Sequence, residues 1–302
     1  MAEPPTVVCA GVAVFDHIFT ADRLPCGGGK HFASGFSEIG GGPAATAAVA
    51  VARLGGRARY WGRVGDDAAG SRILDELHCW GVDVAAARRV PGGRSSISAV
   101  ILDDAGERMI IAFADPTLDA DPSWLPLDAL DSAQAVVVDL RWPEGAASVL
   151  RAARQRGLPA VLDADVAPDG EGARLLPLAS HVAFSTTGLS QMTGTADPAD
   201  GLARAARMTD GWVGVTAGGD GCYWRDGDRL VHQPAFAVEA RDTLGAGDVF
   251  HGALALALAE RRPIAAAIRF ASGAAALKCS RPGGRAGIPT RAEVDALIRE
   301  AA

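Results

Sequence analysis

From about residue 130 the chain alternates short apolar runs with helical stretches, and this alternation restricts the possible fold more than any other feature. Ala135 to Leu140, Ala160 to Ala164, Val182 to Ser185 and Trp212 to Thr216 read as strands, while Ala146 to Gln155 and Pro198 to Met208 read as helices. Such β–α alternation predicts a mostly parallel sheet covered by helices on its faces. The expected class is therefore α/β with a central sheet. Upstream, Thr6 to Val14 reads as a buried strand that ends at Asp16, Ala58 to Val64 as the next strand, and Arg72 to Gly81 as a helix. In GGGPAATAAVAVARLGG, Pro43 sits at the first helical position and Gly55 where the helix should stop. The last helix starts near Thr290, a candidate N-cap.

Two regions do not fit the alternation. Residues 22–40 are rich in glycine, with alternating apolar positions near His31 to Ile39, and read as short strands and turns. Ser95 to Ile101 and Arg108 to Phe113 read as a hairpin around Asp103-Asp104-Ala105-Gly106. Together they predict a small β subdomain, from about 16–40 and 95–113, inserted into a single domain over 1–302.

Charge and cysteine usage narrow the partners. The net charge is −7 and no basic block occurs, which argues against nucleic acid. No apolar run is long enough to span a bilayer, and MAEPPTVVCAG carries no signal-peptide pattern, so the cytoplasm is the expected location. The five cysteines are odd in number and widely spaced, and read as free buried thiols in a reducing compartment. None of the six histidines shows metal-ligand spacing. His251 reads as packing or support behind the site, and His17 as a possible substrate contact.

The segment Asp242-Thr243-Leu244-Gly245-Ala246-Gly247-Asp248 runs directly into an apolar helix. First-turn amides of a helix have no internal partner, and the helix dipole adds positive potential there. Gly245, Ala246 and Gly247 let a phosphate approach the backbone, which makes an anion hole. A carboxylate at Asp248 then lies where it can take a proton from an attacking hydroxyl, and phosphoryl transfer needs that combination. The alternative is a plain helix N-terminus with a capping Asp. Gly40-Gly41-Gly42-Pro43-Ala44-Ala45 contains a loose GxGxxA, but the first strand ends well before it, so dinucleotide binding is disfavoured. Glycine amides touching a polyhydroxylated ligand fit better. Thr216-Ala217-Gly218-Gly219-Asp220-Gly221 and Arg281-Pro282-Gly283-Gly284-Arg285-Ala286-Gly287 each read alone as a turn or loop.

Taken together, these four segments resemble the ribokinase-like PfkB family of carbohydrate kinases over the whole chain. The two signatures are the DTLGAGD block and the glycine block followed by an alanine-rich helix ending ARLG. The resemblance implies a ribokinase-like, Rossmann-type sandwich with a β-sheet lid, ATP and Mg2+ as cofactors, and Asp248 as the base with Gly245, Ala246 and Gly247 as anion hole. It implies that Asp16, Gly41, Gly42 and Thr46 hold the sugar. Thr216, Gly218 and Gly221 would line the nucleotide, with Gly273 and Gly284 flanking the adenine. It also implies a homodimer formed through the lid. The chain departs from the pattern in two places: Pro43 and Thr46 replace the Lys and Asn of ribokinases, and Ser185-Thr186-Thr187-Gly188 stands where the family's NxxE motif should be. With NxxE absent the metal-supporting residues are open, and Asp163 or Asp165 could assist through water.

Within the family the chain is similar to bacterial 6-deoxy-6-sulfofructose kinases, on GERMII at 106–111, DLRW at 139–142, HQPAF at 232–236 and LKCSRPGGRAGIP at 277–289. That similarity implies transfer to the C1 hydroxyl of a ketose carrying a sulfonate, with Lys30 and Arg141 as its cationic partners. Ala112 stands where those kinases have an Asn. Fructose or another ketose, a nucleoside, and a non-catalytic sugar-binding role remain as alternatives.

Overall fold

The structure is a computed structural model, described here for residues 3–104, 107–166 and 171–301. The predicted hairpin tip at Ala105-Gly106 lies outside the described residues. The chain begins with β1 (Thr6–Gly11), β2 (Val14–Ala21), β3 (Gly35–Gly41), α1 (Pro43–Arg53), β4 (Arg57–Gly65), α2 (Ala68–Cys79) and β5 (Arg88–Val90). It continues with β6 (Ser96–Asp103), β7 (Arg108–Phe113), β8 (Ala135–Asp139), α3 (Pro143–Gln155), β9 (Ala160–Ala164), β10 (His181–Ser185), α4 (Thr186–Thr193) and α5 (Pro198–Ala205). The last elements are β11 (Trp212–Thr216), β12 (Cys222–Asp226), β13 (Arg229–Gln233), α6 (Ala246–Ala259), α7 (Ile264–Cys279) and α8 (Arg291–Glu300).

Among the described residues these strands form two sheets. The large one runs β13-β12-β11-β10-β9-β8-β1-β4-β5 and is parallel from β11 to β5. The small one runs β3-β2-β6-β7. This is the expected ribokinase-like α/β architecture. β1, β8 and β9 are buried along their whole length, as strands covered on both faces must be. One face packs on α1, α6 and α7, with Val49, Leu254 and Ile268 fully buried. The other packs on α3 to α5, around Trp142, Leu150 and Phe184. α1 and α6 touch closely, because a Cβ on Gly252 would come within 2.4 Å of the Ala47 carbonyl.

The chain departs from the expected single strand over Thr6 to Val14. β1 stops at Gly11, and the chain crosses to the small sheet, where Asp16 lies inside β2 rather than at a strand end. Asp139, 2% exposed at the end of β8, accepts from the Val12 amide at 2.8 Å and the Ala44 amide at 3.2 Å. That carboxylate pins both the crossover and the first turn of α1 at the point where strand order reverses between β1 and β8, the usual place for a ligand crevice. Burial raises its pKa to about 6, against the pull of those amides.

The cysteines also differ from expectation: all five are free, but only Cys9 and Cys222 are buried, while Cys26 and Cys79 are exposed and Cys279 is half-buried. Cys26 lies in the open stretch between β2 and β3, and Cys79 ends an exposed turn of α2, where nothing packs over them. The small sheet exposes Phe36, Ile110, Ile111 and Phe113. Among the described residues, no helix is long and apolar enough to cross a membrane.

Candidate active site

Asp248 lies in the first turn of α6, whose N-cap is Gly245 with a left-handed φ of 75°. A side chain at that φ would be strained, so glycine is what allows the loop to turn sharply into the helix. The turn separates two cavities. The smaller is lined by Asp16, Gly40, Gly41, Gly42, Thr46, Gly245, Asp248, Lys278, Gly284 and Arg285. The larger, about 560 Å³, is lined by Thr216, Gly218, Gly221, Phe236, Thr243, Ala246, Gly247, Ser272, Ala275, Ala276 and Cys279. One short loop therefore turns Gly245 and Asp248 to one side and Ala246 and Gly247 to the other.

The Asp248 carboxyl is pushed up to about 8, first by burial and then by the negative charge of Asp163. His251, one turn further along α6, opposes this. Its Nδ1 lies 3.1 Å from Asp163 Oδ2, and although burial disfavours its charge, that carboxylate raises its pKa on balance. Asp248 and His251 thus sit in a buried cluster with the Asp163 carboxylate, and the protonation of Asp248 and that of His251 depend on each other. A carboxyl held near neutrality suits a general base.

In the smaller cavity the glycine block works by close approach. A Cβ on Gly41 would sit 1.9 Å from Asp16 Oδ2, and one on Gly40 would sit 2.1 Å from Arg285 Nη1. The glycines thus make room for charged side chains that reach over the backbone, beyond any amide contact they offer a ligand. Asp16 is buried and accepts from Ser98 Oγ at 2.5 Å; burial raises its pKa. Arg285 is 3% exposed, donating from Nη2 to the Gly41 carbonyl at 2.7 Å and from Nε to Thr46 Oγ1 at 3.3 Å. Its Nη1 faces Glu76 at 3.4 Å but makes no hydrogen bond.

Several expected residues fall elsewhere. Gly284 borders the smaller cavity and donates its amide to Asp242 Oδ2 at 2.9 Å, so it does not flank the larger one. Gly273 is not in the cavity lining: a Cβ there would meet Val294 and Ile298 of α8 and the Phe236 ring, which stands between it and the cavity side, and the adjacent Ser272 lines the cavity instead. The reason is helical geometry, since only one side of α7 can face the cavity. Lys30 sits in the exposed stretch before β3 and lines neither cavity. Arg141 follows β8, half-exposed, 3.8 Å from Asp165. His17 contacts Glu38 at 3.3 Å. Ser185 caps α4, accepting from the Gly188 amide, and donates to Asp165 at 2.7 Å.

Arg285, Lys278, Glu76, Ser98 and Asp139 were not singled out by sequence reasoning. Arg285 lay in view, as a charged residue directly after the glycine pair at 283–284, and Lys278 as a lysine in the apolar helix before it. The other three carry no local signal, because only tertiary contact brings them to the site.

The descriptor of "pfkB family carbohydrate kinase" matches residues 5–291. The ribokinase of Bacillus subtilis (strain 168) is 30% identical, over 95% of this chain and 97% of its own length. Fructokinase-1 of Oryza sativa subsp. japonica is 29% identical, over 89% of this chain and 91% of its own. Among solved structures, a candidate ribokinase from Agrobacterium tumefaciens superposes with a TM-score of 0.94 at 43% identity, covering 99% of this chain and 98% of that one. Arabidopsis thaliana ribokinase complexed with ribose and ATP gives a TM-score of 0.85 at 26% identity, covering 99% of both.

Proposed function

The chain belongs to the pfkB family of carbohydrate kinases, and we propose that it transfers the γ-phosphoryl group of ATP to a primary hydroxyl of a ketose, 6-deoxy-6-sulfofructose at C1 foremost. The observation that carries this reading is the shared wall. The loop at 245–248 presents Asp248 to the smaller cavity and the Ala246–Gly247 backbone to the larger. A sugar in the first and a nucleotide in the second meet across it. Asp248 takes the proton of the attacking hydroxyl as its oxygen bonds to the γ-phosphorus. The bond to the bridging oxygen breaks and ADP leaves with the electron pair. Amides of Gly245, Ala246 and Gly247 bear the negative charge on the transferring group. The Arabidopsis ribokinase, solved with ribose and ATP, supports a sugar and a nucleotide as the two ligands.

Among the described residues no group of three or more His, Cys, Asp or Glu is arranged to hold a metal ion. Asp163, whose Oδ1 is buried without a partner, Asp165 and Asp139 are carboxylates whose charge reaches Asp248. This sparse set suits Mg2+ carried chiefly by nucleotide phosphates and water. When bound, the ion neutralises phosphate charge.

The small sheet is read as a lid over the sugar, and its exposed Phe36, Ile110, Ile111 and Phe113 as the face that pairs with a second copy. A cytoplasmic setting suits five free thiols. For the sulfonate, Arg141 is the cation placed at a strand end, where α/β clefts open. The deciding experiment measures ADP release with sulfofructose, fructose, ribose and nucleosides. Turnover highest with sulfofructose supports the full reading, turnover highest with fructose removes the sulfonate, and no turnover with any of them removes the proposed reaction.

A further inference from the structure

We propose that the Lys278 ammonium is a built-in monovalent cation that holds the anion-hole loop in its working shape, so that turnover requires no dissolved one. The inference rests on the kinase reading above. Lys278 lies in the last turn of α7 and is 1% exposed, a rare position for a lysine. A buried ammonium is expensive unless paired. Here its Nζ lies 2.8 Å from Asp242 Oδ2 and donates to the Asp242 carbonyl at 2.9 Å. Both oxygens belong to the residue that opens the anion-hole loop.

Asp242 distributes that hold. Its Oδ1 accepts from the Leu244 amide and its Oδ2 from the Gly284 amide, each at 2.9 Å. The Asp242 amide in turn donates to the Cys279 carbonyl at 3.0 Å, which closes the ring back onto α7. Leu244 immediately precedes Gly245, where the chain enters α6. The ammonium is thus the central charge of a knot that fixes the entry to the amides facing the transferred group. It also cancels the Asp242 carboxylate, which would otherwise place a buried negative charge beside a site that must accept phosphate charge. An ammonium with two oxygen partners does what a small bound cation would do, but it cannot dissociate.

The test has two arms. In the first, wild-type turnover, on whichever sugar of the panel is accepted, is compared in tetramethylammonium, potassium and ammonium chloride at equal ionic strength. The rate is expected to agree within about twofold, because the cation is supplied internally; tenfold activation by potassium or ammonium overturns the proposal. In the second, Lys278→Ala and Lys278→Met are assayed in the same salts. Loss of a group that shapes an oxyanion site costs on the order of 10²-fold in kcat. Ammonium or potassium is expected to restore at least fivefold to Lys278→Ala by filling the vacated oxygen pair, and to raise its melting temperature. Lys278→Met, which fills the hole with methylenes, should not respond. Full kcat in Lys278→Ala, or a loss equal in all three salts, overturns it. Should neither variant fold, the wild-type arm decides alone. Should wild-type protein turn over no sugar, the kinase reading fails separately, and cation-specific melting of Lys278→Ala decides the loop's requirement for a cation.

Discussion

Arg285 Nη2 donates to the carbonyl of Gly41 at 2.7 Å, joining residues 244 positions apart. The bond ties the loop after α7 to the glycine block before α1, and both line the smaller cavity. Arg285→Gln removes the charge and leaves Glu76 facing a neutral group. The expected result is a rise in the sugar KM together with a loss of roughly 1–3 kcal/mol in stability, the usual scale for an unsatisfied buried partner. Steady-state kinetics and urea midpoints measure the two. An unchanged KM would mean that the pair only braces the fold.

Asp248→Asn keeps the size of the side chain and removes the base. Turnover should fall by about 10²–10⁴-fold. Nucleotide affinity, measured by calorimetry with a non-hydrolysable ATP analogue, should stay within about threefold, because the amides that face the larger cavity are untouched. Near-wild-type turnover would remove Asp248 as the base.

The raised Asp248 pKa sets the direction of the pH profile. The base works only when deprotonated. Since burial and Asp163 lift the pKa to about 8 in the free protein, kcat/KM should climb with pH towards that value and level off above it. Charged His251 stabilises the carboxylate and so lowers this pKa. His251→Gln should therefore shift the rising limb to higher pH. A shift to lower pH, or none, would dissolve the assigned coupling.

Arg141→Ala should raise the KM for sulfofructose well beyond any change for fructose. Arg141 already has Asp165 near it at 3.8 Å, and a half-exposed pair of this kind is weak, so the arginine can turn to an anionic ligand at little cost. Equal changes for the two sugars would exclude Arg141 from recognising the anion.

Gly252→Ala tests the packing that carries the site. Its Cβ would meet the Ala47 carbonyl at 2.4 Å, pushing α6 from α1. Overpacking of this kind costs about 1–3 kcal/mol, and the urea midpoint should fall accordingly. Because α6 also carries Asp248, kcat should fall even in the folded fraction.

The β–α alternation of the large sheet and the glycine loop before α6 could be read directly from the residues. β8 to β11 announce themselves by unbroken apolar runs, α1 by Pro43 at its start, and the proposed anion hole by small residues leading into a helix. These signals are local, and backbone sterics, burial and helix dipoles act over a few residues. Other features depended on distance in the chain. The crossover at Gly11 follows from Asp139 accepting the Val12 amide 127 residues away. The placement of Gly273 away from the cavity follows from which side of α7 the core covers. A second reason for the glycines at 40 and 41 carries no mark in the sequence: a Cβ at Gly40 would meet Glu76 and Arg285, and one at Gly41 would meet Asp16. The sequence alone determined the α/β fold and the glycine loop that carries Asp248, the proposed base. Tertiary structure alone decided which buried charges surround that base, because ionic partners such as Lys278–Asp242 and His251–Asp163 are selected by three-dimensional proximity in a low-dielectric interior, for which linear spacing leaves no mark.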